Sequence, residues 1–275
     1  EHGWFHLPQK IGGRLERLIG AEPGSVIVGD TISVNLFKIL TSALGQRRER
    51  KVILSDSGNF PSDLYVAQGL TQFMADGHEV RIVAPEDVAD SITLEVAVVM
   101  ITEVDYRTAR RHDMKAITRL AHDAGALMIW DLAHSAGAVP VDLQGSGADF
   151  AVGCTYKYLN GGPGAVAGAF VHERHAREFG LPRFAGWWGH DKETRFLMGP
   201  EFKPLAGAEG WQISNPPILQ MAALRASLEI FEEAGMDAIR RKSVKLTGYL
   251  ESLVERIGDD RIEVITPRDP DQRGC

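Results

Sequence analysis

The sequence predicts an α/β fold in which a mostly parallel, seven-stranded sheet is covered by helices on both faces. Short apolar runs bounded by turn residues alternate with segments whose apolar residues recur at helical spacing. The runs are almost continuously apolar, which is typical of parallel strands buried on both faces. The runs lie at residues 25–28, 51–54, 79–83, 96–100, 126–130, 148–154 and 165–171.

Helical spacing predicts the elements between these strands. The helices fall at residues 33–43, 61–74 and 114–124, and a longer helical segment runs from 218 to 254. Gly235 is expected to break that segment into two helices, because glycine is a poor helix former. An apparent strand follows at residues 262–265, and Arg240, Arg241 and Lys242 are expected on a solvated helix face.

Composition excludes several classes of function. The formal net charge of -7 over 275 residues, with no long basic run, argues against a nucleic-acid-binding protein. No segment has the length of a membrane span, and the first residues lack the form of a signal peptide. The two cysteines and the histidines show no disulfide framework and no metal-ligand spacing. We therefore expect a soluble, cytoplasmic protein.

One lysine lies at a position that is typical of a chemically reactive side chain. Lys157 follows the apolar run 148–154 and precedes the glycine-rich residues 161–164. An amine held where water is scarce keeps a nucleophilic lone pair for a carbonyl group, and pyridoxal phosphate is the common carbonyl partner of such a lysine. A surface lysine after a strand explains the same local pattern.

Other polar residues follow neighbouring strands, where ligands gather in sheets of this type. Asp131 ends the run 126–130, and a carboxylate there would keep a pyridine nitrogen protonated. Residues 30–33 open a helix and suit a phosphate, and residues 59–63 open the next helix. A plain helix N-cap accounts for each of these two segments equally well. The joint placement of Asp131 and Lys157 is more specific than either residue alone.

Six segments carry a resemblance to the kynureninases, which are pyridoxal-phosphate enzymes of the aspartate aminotransferase fold (fold type I). They occur in family order across essentially the whole chain, and the segments at 155–160 and 213–218 resemble this family in particular. The segments are NFPSD (59–63), WDLAHSAG (130–137), TYKYLN (155–160), GWWGH (186–190), ISNPPI (213–218) and KLTGYL (245–250).

The resemblance implies a role for individual residues. Lys157 forms the Schiff base with pyridoxal 5'-phosphate and then removes the substrate α-proton. Our own hypothesis, from its position beside Lys157, is that Tyr156 donates a proton to the β-carbon. Asp131 pairs with the ring nitrogen with Asp63 nearby, and Phe60 stacks on the ring. The implied cofactor contacts are Ile32, Ser33, Phe60, Pro61, Ser62, Asp63, Thr102, Asp131, His134, Tyr156, Lys157, Trp187 and Asn215.

The resemblance also implies a reaction and an assembly. The reaction is hydrolytic cleavage of the Cβ–Cγ bond of kynurenine or 3-hydroxykynurenine in tryptophan catabolism, giving alanine and anthranilate or 3-hydroxyanthranilate. The assembly is a homodimer with the site at the subunit interface, so Trp187 or Asn215 could serve the neighbouring subunit. Residues 1–235 would form the large cofactor-binding domain and 236–275 the start of a small α+β domain.

Both ends of the chain look cut, so we expect a piece of a longer protein. The arginine that holds the substrate carboxylate and an active-site histidine are expected outside these residues. The chain alone is therefore expected to bind the cofactor weakly or incompletely and to be inactive, whereas the full-length protein is expected to be the competent enzyme. Two alternatives stay open. One is another fold-type-I enzyme, such as a cysteine desulfurase or an aminotransferase; the other is a catalytically silent scaffold of the same fold.

Overall fold

The computed structural model describes residues 3–275, so the first two residues of the segment searched for a signal peptide lie outside it. Its single sheet has the order β1-β7-β6-β5-β4-β2-β3. β7 is antiparallel to both of its neighbours, and the remaining pairs are parallel. The prediction of a mostly parallel, seven-stranded sheet is confirmed. The strands are β1 (Val26–Val28), β2 (Val52–Asp56), β3 (Glu79–Val83), β4 (Val96–Thr102), β5 (Leu127–Asp131), β6 (Phe150–Cys154) and β7 (Ala167–Val171).

Helices cover both faces of this sheet, and all of the predicted ones are present. Gly235 separates the last two, with a φ of 74° that a residue with a side chain rarely adopts. None of the helices is long and apolar enough to cross a membrane within residues 3–275. The helices are α1 (Leu7–Leu18), α2 (Ile32–Gln46), α3 (Pro61–Met74), α4 (Val88–Ser91), α5 (Met114–Asp123), α6 (Leu143–Ser146), α7 (Ile218–Ala234) and α8 (Met236–Ile257).

Helix α1 was not predicted from the sequence. Two adjacent glycines, Gly12 and Gly13, weaken its helical signal. Gly12 is needed because a Cβ atom at this position would lie 2.3 Å from the carbonyl oxygen of Val26. The glycine therefore lets α1 pack directly on β1.

The core is divided into two layers by the sheet. One layer lies between the sheet and α1, α5 and α7, and the other between the sheet and α2 and α3. Strand β4 serves both, since Val99 and Ile101 face the first layer while Val98 and Met100 face the second. This double burial explains why the strands appear in the sequence as continuous apolar runs.

The C-terminal segment differs from two predictions. Residues 262–265 form no strand; they are largely exposed, and no strand within residues 3–275 pairs with them. Arg240 is not on a solvated face, because its guanidinium donates to the carbonyl oxygens of Gly274 at 2.7 Å and Arg273 at 2.9 Å. Gly274 in turn donates to Ala109. The arginine thus holds the end of the described chain against the loop after β4.

A buried carboxylate organises the amino-terminal edge of the sheet. Asp149, just before β6, is fully buried and accepts hydrogen bonds from His122 Nε2 (2.7 Å), His175 Nε2 (2.9 Å), Arg174 Nη1 (3.1 Å) and the backbone N–H of Met128 (2.8 Å). Burial alone raises the pKa of this carboxyl, but the hydrogen bonds outweigh burial and hold the pKa well below its usual range. Asp149 therefore joins α5, β5, β6 and the segment after β7.

We predict that Asp149→Asn lowers the free energy of unfolding by about 3–5 kcal/mol, because an amide would donate where the carboxylate accepts and would leave buried partners unpaired. Since the pKa of Asp149 is depressed in the folded state, its contribution is complete above about pH 5 and is lost as the pH falls. Urea denaturation at pH 7 measures the first effect, and a series that continues below pH 4 measures the second, since the difference between the two proteins should narrow there. The exposed Asp123→Asn on α5 is the control, and an unchanged denaturation midpoint for Asp149→Asn at pH 7 would contradict the prediction.

Candidate active site

A cavity of about 510 Å³ opens at the carboxyl ends of the parallel strands. This is the edge of an open α/β sheet at which loops and helix N-termini converge. Strand β5 contributes Asp131 and β6 contributes Cys154, while the starts of α2 and α3 close the other side. The lining residues are Thr31, Ile32, Ser33, Phe60, Ser62, Asp63, Asp131, Ala133, Cys154, Tyr156, Lys157, Pro163, Gly164, Ala165 and Ala167.

Two helix N-termini meet at one end of this cavity. Thr31 caps α2 by accepting from the backbone N–H of Val34, and Pro61 is the first residue of α3. The hydroxyl groups of Ser33 and Ser62 lie 3.3 Å apart. Free backbone N–H groups and the positive ends of two helix dipoles suit an anion. This end of the cavity can therefore hold a phosphate group.

Lys157 extends into the cavity from the turn that follows β6. Its Nζ lies 2.9 Å from Nε2 of His134 and 5.0 Å from the ring centroid of Phe60. Burial and the nearby charge of Lys157 lower the pKa of His134 to about 4. The imidazole is therefore neutral at pH 7 and can accept a hydrogen bond from the amine.

Two carboxylates face the same cavity in an unusual state. Asp63 and Asp131 are each 2% exposed, and neither forms an ion pair with any of residues 3–275. Asp131 accepts from the N–H of Ala133 at 2.8 Å, whereas Oδ2 of Asp63 is buried with no hydrogen-bond partner in this part of the chain. Burial, and then the charge of Asp131, raise the pKa of Asp63 to about 8, and burial raises the pKa of Asp131 to about 6.

These carboxylates fit a cationic ligand group. A buried carboxylate without a cation binds a proton at physiological pH, and a protonated pyridine nitrogen would supply the missing charge. With the amine of Lys157 in the same cavity and an anion site at its end, the side chains present fit pyridoxal 5'-phosphate.

Aromatic rings line the mouth of the site. Phe60 is 38% exposed at the start of α3, with Tyr106 packed edge-on at 5.3 Å and His134 at 6.3 Å between ring centroids. Tyr106 was not among the residues predicted from sequence. Its signal was available, because Tyr106 follows β4 at the same carboxyl edge as Thr102.

The remaining predicted contacts lie outside the cavity lining. Thr102 pairs with Asp131 across β4 and β5 and donates to the carbonyl oxygen of Val104 at 3.1 Å. Trp187 and Asn215 are hydrogen-bonded to each other, with Nε1 3.0 Å from Oδ1. His134 and Lys157 line an adjoining cavity of about 650 Å³ between the loops after β5 and β6 and helices α7 and α8. The roles of all these residues stay predictions.

The fold and the cavity define a pyridoxal-phosphate-dependent enzyme of fold type I. The aminotransferase class-V family model matches residues 14–274. Among solved structures, the cysteine desulfurase of Thermococcus onnurineus NA1 superposes with a TM-score of 0.80 over 98% of this chain and 66% of its own, at 19% identity. That identity establishes a shared fold and nothing more.

Sequence comparison defines the family more closely. The kynureninase of Myxococcus xanthus is 48% identical over all of this chain and 68% of its own length, and that of Burkholderia pseudomallei is 49% identical over 99% and 66%. The chain belongs to the kynureninase family. It spans about two thirds of the length of these curated relatives.

We predict that the cofactor-free protein loses stability as the pH rises from about 4 to about 8. The pKa of Asp63 is about 8 in the folded state and about 4 in the unfolded chain, so the folded state holds more protons across this window. The slope reaches about 1.4 kcal/mol per pH unit for one such group. Asp63→Asn should melt at a higher temperature than the unmodified protein at pH 8 and at a similar temperature at pH 4.

Thermal unfolding of cofactor-free protein across pH 4 to 8 measures this difference. Asp90→Asn, an exposed aspartate on α4, is the matched control and should leave the pH profile unchanged. Parallel profiles for Asp63→Asn and the unmodified protein would show that Asp63 carries no raised pKa.

Proposed function

We propose that this chain carries the cofactor site of a kynureninase, which hydrolyses the Cβ–Cγ bond of kynurenine or 3-hydroxykynurenine. The products would be alanine and anthranilate or 3-hydroxyanthranilate. The observation that carries the proposal is the cavity in which Lys157 meets the buried pair Asp63 and Asp131. The identity of 48% to a kynureninase over the whole chain supports the choice of reaction within the class.

Different residues would bind different parts of the cofactor. Asp131, with Asp63, would hold the ring nitrogen, and Phe60 would pack on the ring. Ile32, Ser33, Ser62 and Tyr156 would surround the phosphate at the N-termini of α2 and α3, and Pro61, Thr102 and His134 would support these contacts. The amine of Lys157 would carry the cofactor. When bound, pyridoxal 5'-phosphate supplies an electron sink for a carbanion at the substrate α-carbon.

Lys157 is also the base in this proposal. In its neutral form the amine donates a hydrogen bond to Nε2 of His134, which orients Nζ and leaves the lone pair of the amine free for a proton. Nζ would remove the substrate α-proton. Water would then add to the γ-carbonyl carbon and the Cβ–Cγ bond would break, which releases anthranilate or 3-hydroxyanthranilate. The β-carbon would take up a proton, and the proton held by Nζ would return to the α-carbon to give alanine.

Tyr156 is the proposed source of the proton that the β-carbon takes up. Burial raises the pKa of its hydroxyl, so the phenol is protonated at neutral pH and can donate. Tyr156 lies one residue from Lys157 and lines the same cavity. A proton donor close to the base suits a reaction in which the α-carbon loses a proton and the β-carbon gains one.

The proposal extends to assembly and location. Trp187 and Asn215 bond to each other away from the cavity lining of their own chain, which is consistent with service to a neighbouring subunit of a homodimer. Residues 1–235 would form the large domain and residues 236–275 the start of a smaller one. We place the enzyme in the cytoplasm because its two cysteines are both free.

Other activities of the fold are less consistent with this site. A desulfurase needs an accessible cysteine as persulfide acceptor. Cys154 lines the cofactor cavity but is 3% exposed at the end of β6, and the exposed Cys275 lines the adjoining cavity instead. A silent scaffold would have no need to keep Asp63 and Asp131 buried without an ion-pair partner, because such burial costs stability. Both alternatives remain outcomes of the substrate test.

We predict that the protein forms anthranilate or 3-hydroxyanthranilate from the matching kynurenine and shows no comparable turnover of cysteine or of amino-acid and keto-acid pairs. Product fluorescence and chromatography measure the four reactions. The assay is run on this chain and on any longer protein that contains it. Lys157→Ala should abolish turnover, and borohydride should fix pyridoxal phosphate to the unmodified protein at Lys157 but not to this variant. Sulfide release from cysteine as the dominant reaction would favour the desulfurase alternative.

We predict that Tyr156→Phe lowers kcat by about 100-fold at saturating pyridoxal phosphate, which is the lower range for loss of a general acid. A fluorescence titration with pyridoxal phosphate gives the concentration that saturates each protein. At saturation a weakened phosphate contact no longer lowers turnover, so a remaining loss of kcat indicates a role in proton transfer. Tyr158→Phe, two residues along the chain and absent from this cavity lining, is the matched control. Full turnover by Tyr156→Phe would remove the proposed role.

A further inference from the structure

A fully buried lysine lies beneath the phosphate end of the cavity. Lys38, in the second turn of α2, is 1% exposed, although charged lysines are almost never buried without partners. Its Nζ donates to Oδ2 of Asp30 at 2.7 Å and to the carbonyl oxygen of Trp211 at 2.8 Å. Burial lowers the pKa of Lys38, and the carboxylate of Asp30 opposes that shift.

The first partner, Asp30, belongs to the loop that leads into the anion site. Asp30 comes after β1 and directly before Thr31, the N-cap of α2, and the cavity-lining residues Ile32 and Ser33. Its φ of 53° lies in the left-handed region, a strained conformation that a non-glycine residue keeps only where the surroundings fix it. The ion pair with Lys38 is one contact that fixes this conformation.

The second partner, Trp211, belongs to the segment that leads to Asn215. The indole is fully buried, and its Nε1 donates to Oγ of Ser42 at 3.0 Å. Ser42 lies one turn after Lys38 on α2, so two neighbouring positions of one helix hold both the backbone and the ring of Trp211. Only three residues separate Trp211 from Asn215, whose amide oxygen accepts from Trp187.

We infer that Lys38 is a positioning residue for the phosphate end of the cofactor site. Through Asp30 it fixes the loop that leads into Ile32 and Ser33 at the start of α2, and through Trp211 it connects that loop to the segment ending at Asn215. The inference rests on the proposed function, because the phosphate belongs to the proposed cofactor. Lys38 itself does not line the cavity and touches no reacting atom.

A merely structural ion pair would behave differently. Replacing a buried pair by neutral side chains of similar volume is often neutral or stabilising, whereas removing one partner leaves an unpaired charge. Methionine matches the length of lysine, and asparagine tolerates the left-handed region at position 30. The double variant Asp30→Asn with Lys38→Met therefore removes both charges, and it removes the ammonium contact to Trp211 as well.

The experiment measures the affinity of pyridoxal 5'-phosphate and of pyridoxal, which lacks the phosphate, for four proteins: unmodified, Lys38→Met, the double variant and Lys51→Met. We expect Lys38→Met to bind pyridoxal phosphate about tenfold more weakly, the lower range for loss of a supporting residue at a bound group. Its affinity for pyridoxal should not change. The double variant should recover thermal stability but keep the weakened affinity for the phosphate form.

Lys51→Met is the matched control, because Lys51 is half-exposed at the far edge of the sheet and pairs with Asp76 at 3.5 Å. If Lys38→Met fails to fold, the double variant decides alone. An unchanged ratio of the two affinities in the double variant would overturn the inference while leaving the proposed function intact. Failure of the unmodified protein to bind pyridoxal phosphate would overturn the proposed function, and this inference with it.

Discussion

The site depends on one physical constraint. Asp63 and Asp131 are buried in the same cavity, and neither forms an ion pair with any of residues 3–275. A carboxylate removed from water must gain a cation or a proton, and the raised pKa values of both groups show that the folded chain supplies too little positive charge. The parallel sheet creates this situation, because it places the carboxyl ends of β5 and β6 and the start of α3 at one edge. A ligand with a cationic ring nitrogen would supply the missing charge, so the free energy spent on burying these carboxyl groups would favour binding of the proposed cofactor.

Much of the fold could be predicted from the sequence because burial on both faces leaves an unmistakable pattern. Strand β4 is apolar at almost every position since alternate residues pack into opposite core layers. The prediction of a strand at 262–265 was wrong because an apolar stretch forms a strand only where another strand pairs with it. Pairing is non-local, so the stretch itself does not show whether a partner is present. Helix α1 was missed because Gly12 lowers the helix propensity of its segment. The glycine is present because only a residue without a Cβ atom can pack against the backbone of Val26.

The candidate site could be predicted in part for a similar reason. Asp131 and Lys157 stand directly after strands, so their place in the chain already gives their place at the sheet edge. Lys38 carries no such signal, because it is one lysine within an apolar stretch of a helix and its partner Trp211 lies 173 positions away. Arg240 is the same case, since its partners are backbone carbonyl groups that sequence does not display. Residues defined by long-range polar contacts become visible only in the folded structure.

Each of the two edges of the sheet has a buried aspartate, but the two aspartates have opposite surroundings. The contrast distinguishes an aspartate that stabilises the fold from one that indicates a binding site. At the amino-terminal edge Asp149 receives four hydrogen bonds, which hold its pKa low and fasten the surrounding elements together. At the carboxyl edge Oδ2 of Asp63 receives none from residues 3–275, and its pKa is raised. A chain selected for stability alone has no reason to keep the second arrangement when the first lies one strand length away. The carboxyl group of Asp63, which lacks a hydrogen-bond partner for Oδ2 among residues 3–275, is therefore the stronger indication of a binding site.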